Sequence, residues 1–418
     1  MKNPDAIVIG AGVVGACTAL SLSNAGLRVL VIDRGPVASG TTGAGEGNIL
    51  VSDKEPSPEL TLAIRSRDAW FEINTDIGGG FELEAKGGVV VSRNTKGISN
   101  LKKLASLQKE NGVETIELDA STLQEAEPFI SKDVNYGVLY PGDAQCQPML
   151  AAAQIIRAVK KRGGQFIQGE NVIKINSNAG SIVGLTTDKN TYSTPIIINA
   201  TGTWAGEIAK LANSYLPIMP RRGYILVTSP APKLINHKVY DADYVANVAS
   251  GEADLQSSAV IEGTASGTIL IGASRERVGF KNDLNIAILR QLARQAISLF
   301  PVLTNIQLLR AYRGFRPYAP DHLPVIGEDA NVSGLWHAAG HEGAGIGLAP
   351  ATGELITAQI TGATPFMDPA SEDSYDNNYN PGMLTYWPMV GNYGGSFKTQ
   401  KELDTYLYDK EKKENRFI

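Results

Sequence analysis

The sequence predicts an α/β protein, α+β overall, built from two domains, and three observations point there. First, 418 residues with 43% hydrophobic content and a net charge of −5 describe a soluble globular chain, large enough for two domains sharing one core. Second, residues 5–35, "DAIVIGAGVVGACTALSLSNAGLRVLVIDRG", alternate an apolar run, a glycine turn, a helical stretch and another apolar run. Third, "GGVVVSRN" and "GTILIGASRE" read as strands of a second, mixed sheet, while residues 282–301 carry apolar side chains at helical spacing.

Each part of the opening unit has a physical reading. Ala6 to Ile9 forms a strand, and Arg28 to Ile32 forms a second one that ends at Asp33. Between them, Gly10 permits a tight turn, Gly12 lets backbone approach a pyrophosphate, and Gly15 allows the helix to pack closely on the strand. Asp33 is placed to accept from a ribose hydroxyl. This is a GxGxxG-type Rossmann unit; the bland alternative is a glycine-rich turn with no ligand. The next segment, "ASGTTGAGEGNIL" (38–50), is too small and flexible for a core helix. It suits a loop whose backbone lies against a flat ligand.

Other classes are disfavoured. The longest apolar runs are short and glycine-rich, and the chain lacks a secretory pattern, so the expectation is a cytoplasmic protein with no transmembrane segment. Cys17 and Cys146 form no CxxC pair and read as reduced structural thiols, with no metal site implied. Interspersed charges give no basic patch for nucleic acid.

The loop "ASGTTGAGEGN", so soon after the fingerprint, resembles the glycine oxidase, sarcosine oxidase and D-amino acid oxidase superfamily of FAD enzymes. "IIINATGTWAGEIA" (196–209), "PRRGYILVT" (220–228) and "GLWHAAGHEGAGIGLAPATGELITAQITG" (334–362) are similar to its later motifs, in order. The details "GTTGAGEGNILVSDKEPSPELTLA" and "ILIGASRERVGF" look most like the β subunits of opine oxidase and D-hydroxyproline dehydrogenase. The resemblance implies FAD held noncovalently, since residues 310–327 lack the cysteine that links flavin in sarcosine oxidases. The cofactor residues it implies fall in four groups. The fingerprint supplies Gly10, Gly12, Val13, Gly15, Asp33 and Arg34, and the glycine loop supplies Thr41, Thr42, Gly45, Gly47 and Asn48. Val172, Ala200, Gly202 and Trp204 follow, and Gly343, Gly345 and Ile346 complete the set.

The same resemblance implies an FAD domain assembled from 1–85, 145–210 and 320–365, with a substrate domain at 86–144 and 211–319. Residues 366–418 depart from the family. Six of the fifteen tyrosines lie there, which favours an arm contacting another subunit over a floppy terminus or a piece folded on its own domain. In 282–301, the Asn282-Asp283 pair is the expected helix cap, and Arg290 and Arg294 its solvated face.

Five residues are candidates for chemistry. Arg316 lies in "GFRPYAPDHLPVIG", matching the arginine that holds the substrate carboxylate in the family; the alternative is a brace paired with an internal acid. His341 either tunes the flavin or the amine, or only orders its loop. Glu46 is a weaker candidate for direct contact, as is Glu342. Tyr224 follows a strand start that lines the family's substrate pocket, and is equally a core tyrosine. The implied reaction is hydride transfer from a substrate carbon to flavin N5, giving an imine that water hydrolyses, on an amino acid, imino acid or opine. Partner subunits would carry the electrons onward. An oxygen-using homo-oligomeric oxidase and a noncatalytic FAD-binding subunit are the alternatives.

Overall fold

The computed structural model describes residues 3–242 and 255–367. The arm expected at 366–418 therefore lies, from residue 368 on, outside the described residues. Six strands form the first sheet, in the order Val325–Glu328, Leu335–Ala339, Ile197–Asn199, Ala6–Ile9, Val29–Asp33 and Gln165–Gln168. All neighbours run parallel except the Val325–Glu328 edge. The strand Ala6–Ile9 sits inside the sheet, with Ile7 opposite both Ile197 and Leu30. A strand covered on both faces must be apolar throughout, and "AIVI" is fully buried.

Alternation divides its side chains between two cores. Ala6 and Val8 pack among the helices Val13–Asn24, Pro148–Lys161 and Gly345–Thr361. Ile7 and Ile9 face the other way, onto Val172, Ile175 and Leu185 of a three-stranded antiparallel sheet spanning Val172–Asn178, Ser181–Thr187 and Thr191–Ser193.

The helix Gly345–Thr361 closes on the first helix at Gly353, where an added Cβ would stand 2.9 Å from the Cys17 carbonyl oxygen. Pro350 lies inside this helix and has no N–H to give to the Ile346 carbonyl one turn back. The indole Nε1 of buried Trp70 supplies the missing donor, at 2.9 Å from Ile346 O.

Eight strands make the second sheet, in the order Leu308–Tyr318, Met219–Thr228, Ile269–Arg275, Gln256–Gly263, Lys238–Asp241, Gly88–Ser92, Tyr136–Tyr140 and Ile116–Asp119. Its pairs are antiparallel except Lys238–Asp241 with Gly88–Ser92. The helix Ile286–Leu299 covers one face with Ile288, Leu292, Ala296 and Leu299 packed on Leu226, Ile261 and Ile271. Arg290 and Arg294 are exposed, as an amphipathic helix requires. The cap differs from the expected Asn282-Asp283 pair. Asn285 caps the helix, its side chain accepting from the Ala287 and Ile288 amides, while Asp283 turns away to pair with Arg222 at 2.6 Å.

The two sheets meet around the glycine loop. Residues Thr41–Ala44 form a short 3-10 turn, and Asn48–Ile49 pairs with Ala144–Gln145. The hydroxyls of Thr41 and Thr203 both donate to the Phe315 carbonyl, at 2.7 and 2.8 Å. Three stretches far apart in the chain are thus tied at one atom.

Candidate active site

A cavity of about 630 Å³ runs along this junction, from Asp33 and Arg34 at one end to Arg316 and His341 at the other. Its first half is built by the fingerprint. Gly10 has φ +109°, and a Cβ there would meet the Ala200 carbonyl oxygen at 2.4 Å, so only glycine fits the turn. Gly12 caps the helix Val13–Asn24 with no side-chain bond and no acid in the first turn. The helix start therefore presents its dipole and amides toward the cavity. Thr42 reaches across the loop and accepts from the Val13 amide at 3.0 Å. Asp33 accepts from the amides of Ala11 and Gly35, both at 2.7 Å, which fixes its carboxylate at the cavity wall. Val172, Ala200, Gly202 and Trp204 line the same half, and the Arg34 guanidinium lies 4.6 Å over the Trp204 ring.

The second half is lined by Ala44, Gly45, Glu46, Asn48, Gly314, Phe315, Arg316, His341, Glu342, Gly343, Gly345 and Ile346. Arg316 lies close to two glycines. A Cβ on Gly223 would stand 2.2 Å from its Nη1, and a Cβ on Gly343 would stand 3.5 Å from its Nε. Nη1 donates to the Ser274 carbonyl at 2.8 Å. His341 is buried, and burial pushes its pKa down to about 3, so it is neutral at neutral pH. The Thr352 hydroxyl donates to Leu348 O at 2.9 Å, so it accepts from His341 Nε2–H at 3.0 Å. That bond leaves Nδ1 as the acceptor.

Glu46 is buried, and burial raises its pKa, with Lys238 acting against the rise. Its Oε2 accepts from Asn48 Nδ2 at 3.2 Å and lies 3.7 Å from Lys238 Nζ. Lys238 also pairs with Glu262, both fully buried. Glu342 pairs with buried Arg221 at 3.3 Å and lies 3.0 Å from His322 Nδ1.

Residues 5–359 match the family described as "DAO: FAD dependent oxidoreductase". The chain belongs to this family. Among its relatives, the hydrogen cyanide synthase subunit HcnC of Pseudomonas aeruginosa is 26% identical over 85% of this chain and 92% of that protein. Glycine oxidase of Pseudomonas putida is 26% identical over 88% of this chain and 97% of its own length. Among solved structures, L-proline dehydrogenase from P. horikoshii superposes with a TM-score of 0.79 at 25% identity, covering 87% of this chain and 95% of that one. The cavity suits FAD on its own geometry: the helix start at Gly12 would take the pyrophosphate, Asp33 the ribose, and the glycine-lined second half a flat ring.

For this FAD-dependent oxidoreductase the structure also corrects two expectations. Tyr224 is not in the cavity wall. Gly223 and Ile225 line the cavity, so the residue between them points to the opposite face. There the Tyr224 hydroxyl donates to Asp283 O at 2.8 Å and accepts from the Asn285 amide at 3.3 Å. Gly47 does not line the cavity either. A Cβ on it would overlap the Cys146 carbonyl oxygen, so its smallness serves the contact between the loop and the strand Ala144–Gln145. Gly15 acts in packing, since an added Cβ would overlap the Gly10 carbonyl oxygen.

Sequence reasoning missed Gly223, Gly314, Lys238 and Glu262. A methyl on Gly314 would stand 2.8 Å from Ala44 Cβ. Lys238 and Glu262 carried a readable signal: each is a lone charge inside a strand-like run, in "HKVY" and "AVIEG". In the described residues no helix is long and apolar enough to cross a membrane.

Proposed function

We propose that this flavoprotein oxidises the C–N bond of an amino acid, imino acid or opine, with Arg316 holding the substrate carboxylate. The observation that carries the reading is the placement of the Arg316 guanidinium. It lies at the wall of the cavity's second half, against Gly223, with one nitrogen anchored on Ser274 O. A fork fixed at one end matches a carboxylate in a single orientation. The names of the relatives support the substrate class, since glycine and L-proline are both α-amino acids.

Bound FAD supplies the acceptor for the hydride that leaves the substrate carbon. The protein's part is orientation and proton control. Arg316 fixes the carboxylate end, and neutral His341 offers Nδ1 as an acceptor without adding charge. The flavin is held noncovalently in this reading, because neither Cys17 nor Cys146 lines the cavity. The finer reading is that the chain is the β subunit of a heteromeric dehydrogenase. Its support is the sequence resemblance and the relative named as a subunit of hydrogen cyanide synthase.

Anaerobic titration of the purified flavoprotein with glycine, D- and L-proline and an opine tests the function. Bleaching by at least one compound is expected, with little or none in Arg316→Ala. A flavoprotein that none of them bleaches would sink the proposal. Admitting air after reduction tests the subunit reading. Slow reoxidation is expected, and peroxide formed as fast as substrate turns over would instead favour the homo-oligomeric oxidase.

A further inference from the structure

Glu46 lines the cavity and is 7% exposed, yet its Oε1 has no hydrogen-bond partner among the described residues. A buried carboxylate oxygen without a donor is costly, so the position needs a donor that the described residues do not provide. Its other oxygen belongs to a buried charge cluster. Lys238, from the strand Lys238–Asp241, lies between Glu46 and Glu262 of the strand Gln256–Gly263. Two carboxylates share that one ammonium. Lys86, nearby, donates to Gly263 O and pairs with Glu84. From the strand Leu308–Tyr318, Arg316 adds positive charge toward Glu46, and the Tyr312 hydroxyl donates to Gly45 O at 3.3 Å.

Glu46 and Arg316 are seated on one strand. A Cβ on Gly272 would meet Glu46 Oε1 at 2.3 Å, and two residues further on the Ser274 carbonyl accepts from Arg316. A negative and a positive head group thus stand side by side at the same end of the cavity. That is the charge pattern of an α-amino acid zwitterion, reversed.

We infer that Glu46, braced by Lys238 and Glu262, receives the ammonium of the amino acid whose carboxylate Arg316 holds, and takes one proton from it. The inference rests on the function proposed above. In this step one N–H bond breaks and an O–H bond forms on Glu46 Oε1. The electron pair stays on nitrogen, and nothing is oxidised or reduced. The substrate becomes a neutral amine, the form whose lone pair supports loss of hydride from the adjacent carbon. Glu46 is then a catalytic residue, and Lys238 and Glu262 are positioning residues.

The test uses the flavoprotein with glycine and D- and L-proline as reductants. Tetrahydrofuran-2-carboxylate, which has the ring and carboxylate of proline but no amine, serves as a binding probe. Glu46→Gln should keep its FAD and its affinity for the oxygen analogue. Its rate of flavin reduction should fall about tenfold per pH unit below the amine's own pKa, because only amine already neutral in solution then reacts. The wild type should stay flat over the neutral range. Lys238→Met should move the acid limb of the wild-type profile to higher pH, since the lysine favours ionised Glu46. A readout free of turnover comes from 2-aminoisobutyrate, which has no α-hydrogen to lose. Its binding to wild type in buffers of different ionisation enthalpy should release no proton, whereas release of one proton per molecule bound would overturn the inference. If no amino acid reduces the flavin, both proposals fall. If one does and Glu46→Gln keeps the wild-type pH profile, only the assignment of Glu46 falls.

Discussion

The guanidinium of Arg316 occupies the space that a side chain on Gly223 would need, with Nη1 2.2 Å from the ideal Cβ position. The two residues are diagonal neighbours on paired strands, with Gly223 opposite Gly314 and Arg316 opposite Arg221. Long side chains reach across that diagonal. Arg316→Ala should weaken substrate binding by roughly 2–5 kcal/mol, about 30-fold to several thousand-fold, with flavin content unchanged. Arg316→Lys should fall between it and wild type, since it keeps the charge and loses the fork. Gly223→Ala should mimic the arginine loss and also lower stability, since its Cβ would stand 2.5 Å from the Ser274 carbonyl oxygen as well. Anaerobic titration of the flavin spectrum measures all four proteins. Full saturation of Arg316→Ala at wild-type substrate concentrations would remove the arginine from the site.

Gly10 and Gly12 should fail in different ways. Gly12 has ordinary φ, and its nearest neighbour to an added Cβ is the Thr42 hydroxyl at 3.2 Å. Gly12→Val should therefore fold and lose flavin, giving colourless protein with a helical spectrum close to wild type. Gly10→Ala meets backbone at 2.4 Å from a positive φ, so it should lose stability as well as colour. Flavin released on acid precipitation, read beside thermal unfolding, separates the two outcomes.

Trp70 and Pro350 should be coupled although the bond runs through Ile346. Trp70→Phe leaves the Ile346 carbonyl without its donor and should cost about 1–3 kcal/mol. Pro350→Ala restores a backbone N–H one turn along, so in the Phe background it should recover much of that loss. A double-mutant cycle by urea unfolding checks this, and strict additivity would show that the indole contributes only its bulk.

Asp143 gives a pH dependence of defined sign. Burial pushes its pKa up to about 7, although Ser52 and the Val51 amide donate to it. A carboxyl that is harder to ionise in the folded state binds its proton more tightly there. Its contribution is full below about pH 4 and is lost as pH rises toward 7. Asp143→Asn keeps an oxygen for the Val51 and Ser52 amides and cannot ionise. The variant should gain on wild type by on the order of a few kcal/mol between pH 5 and pH 8. Unfolding curves at those two pH values provide the comparison.

The fingerprint was legible because it is local: three glycines and an acid at fixed spacing specify one turn and one helix start. Arg316 was legible because a lone arginine among aromatic and aliphatic residues needs a reason to be there. Tyr224 was ambiguous for a geometrical reason. Both faces of its strand are covered, so the apolar pattern does not say which parity faces the cavity, and the choice is made by Asp283 and Asn285 some sixty residues on. Gly47 misled for the same kind of reason, its close neighbour being Cys146, nearly a hundred residues away. The Lys238–Glu262 pair that backs Glu46 exists only once the strands Lys238–Asp241 and Gln256–Gly263 are paired and the glycine loop is laid against them.

The interleaved sheets also set an order of events during synthesis. The strand Ala6–Ile9 is made long before its neighbour Ile197–Asn199, and beyond that neighbour the sheet is continued by Leu335–Ala339 and Val325–Glu328. Thr41 likewise waits for Phe315, 274 residues later. Such long-range closures are slow to form and leave apolar strands uncovered in the meantime. A nascent chain stalled before residue 335 would carry a complete glycine fingerprint with both neighbours of its first strand, yet would lack the strand Leu335–Ala339 and the covering helix Gly345–Thr361, and would be a natural client for chaperones that shield unpaired strands.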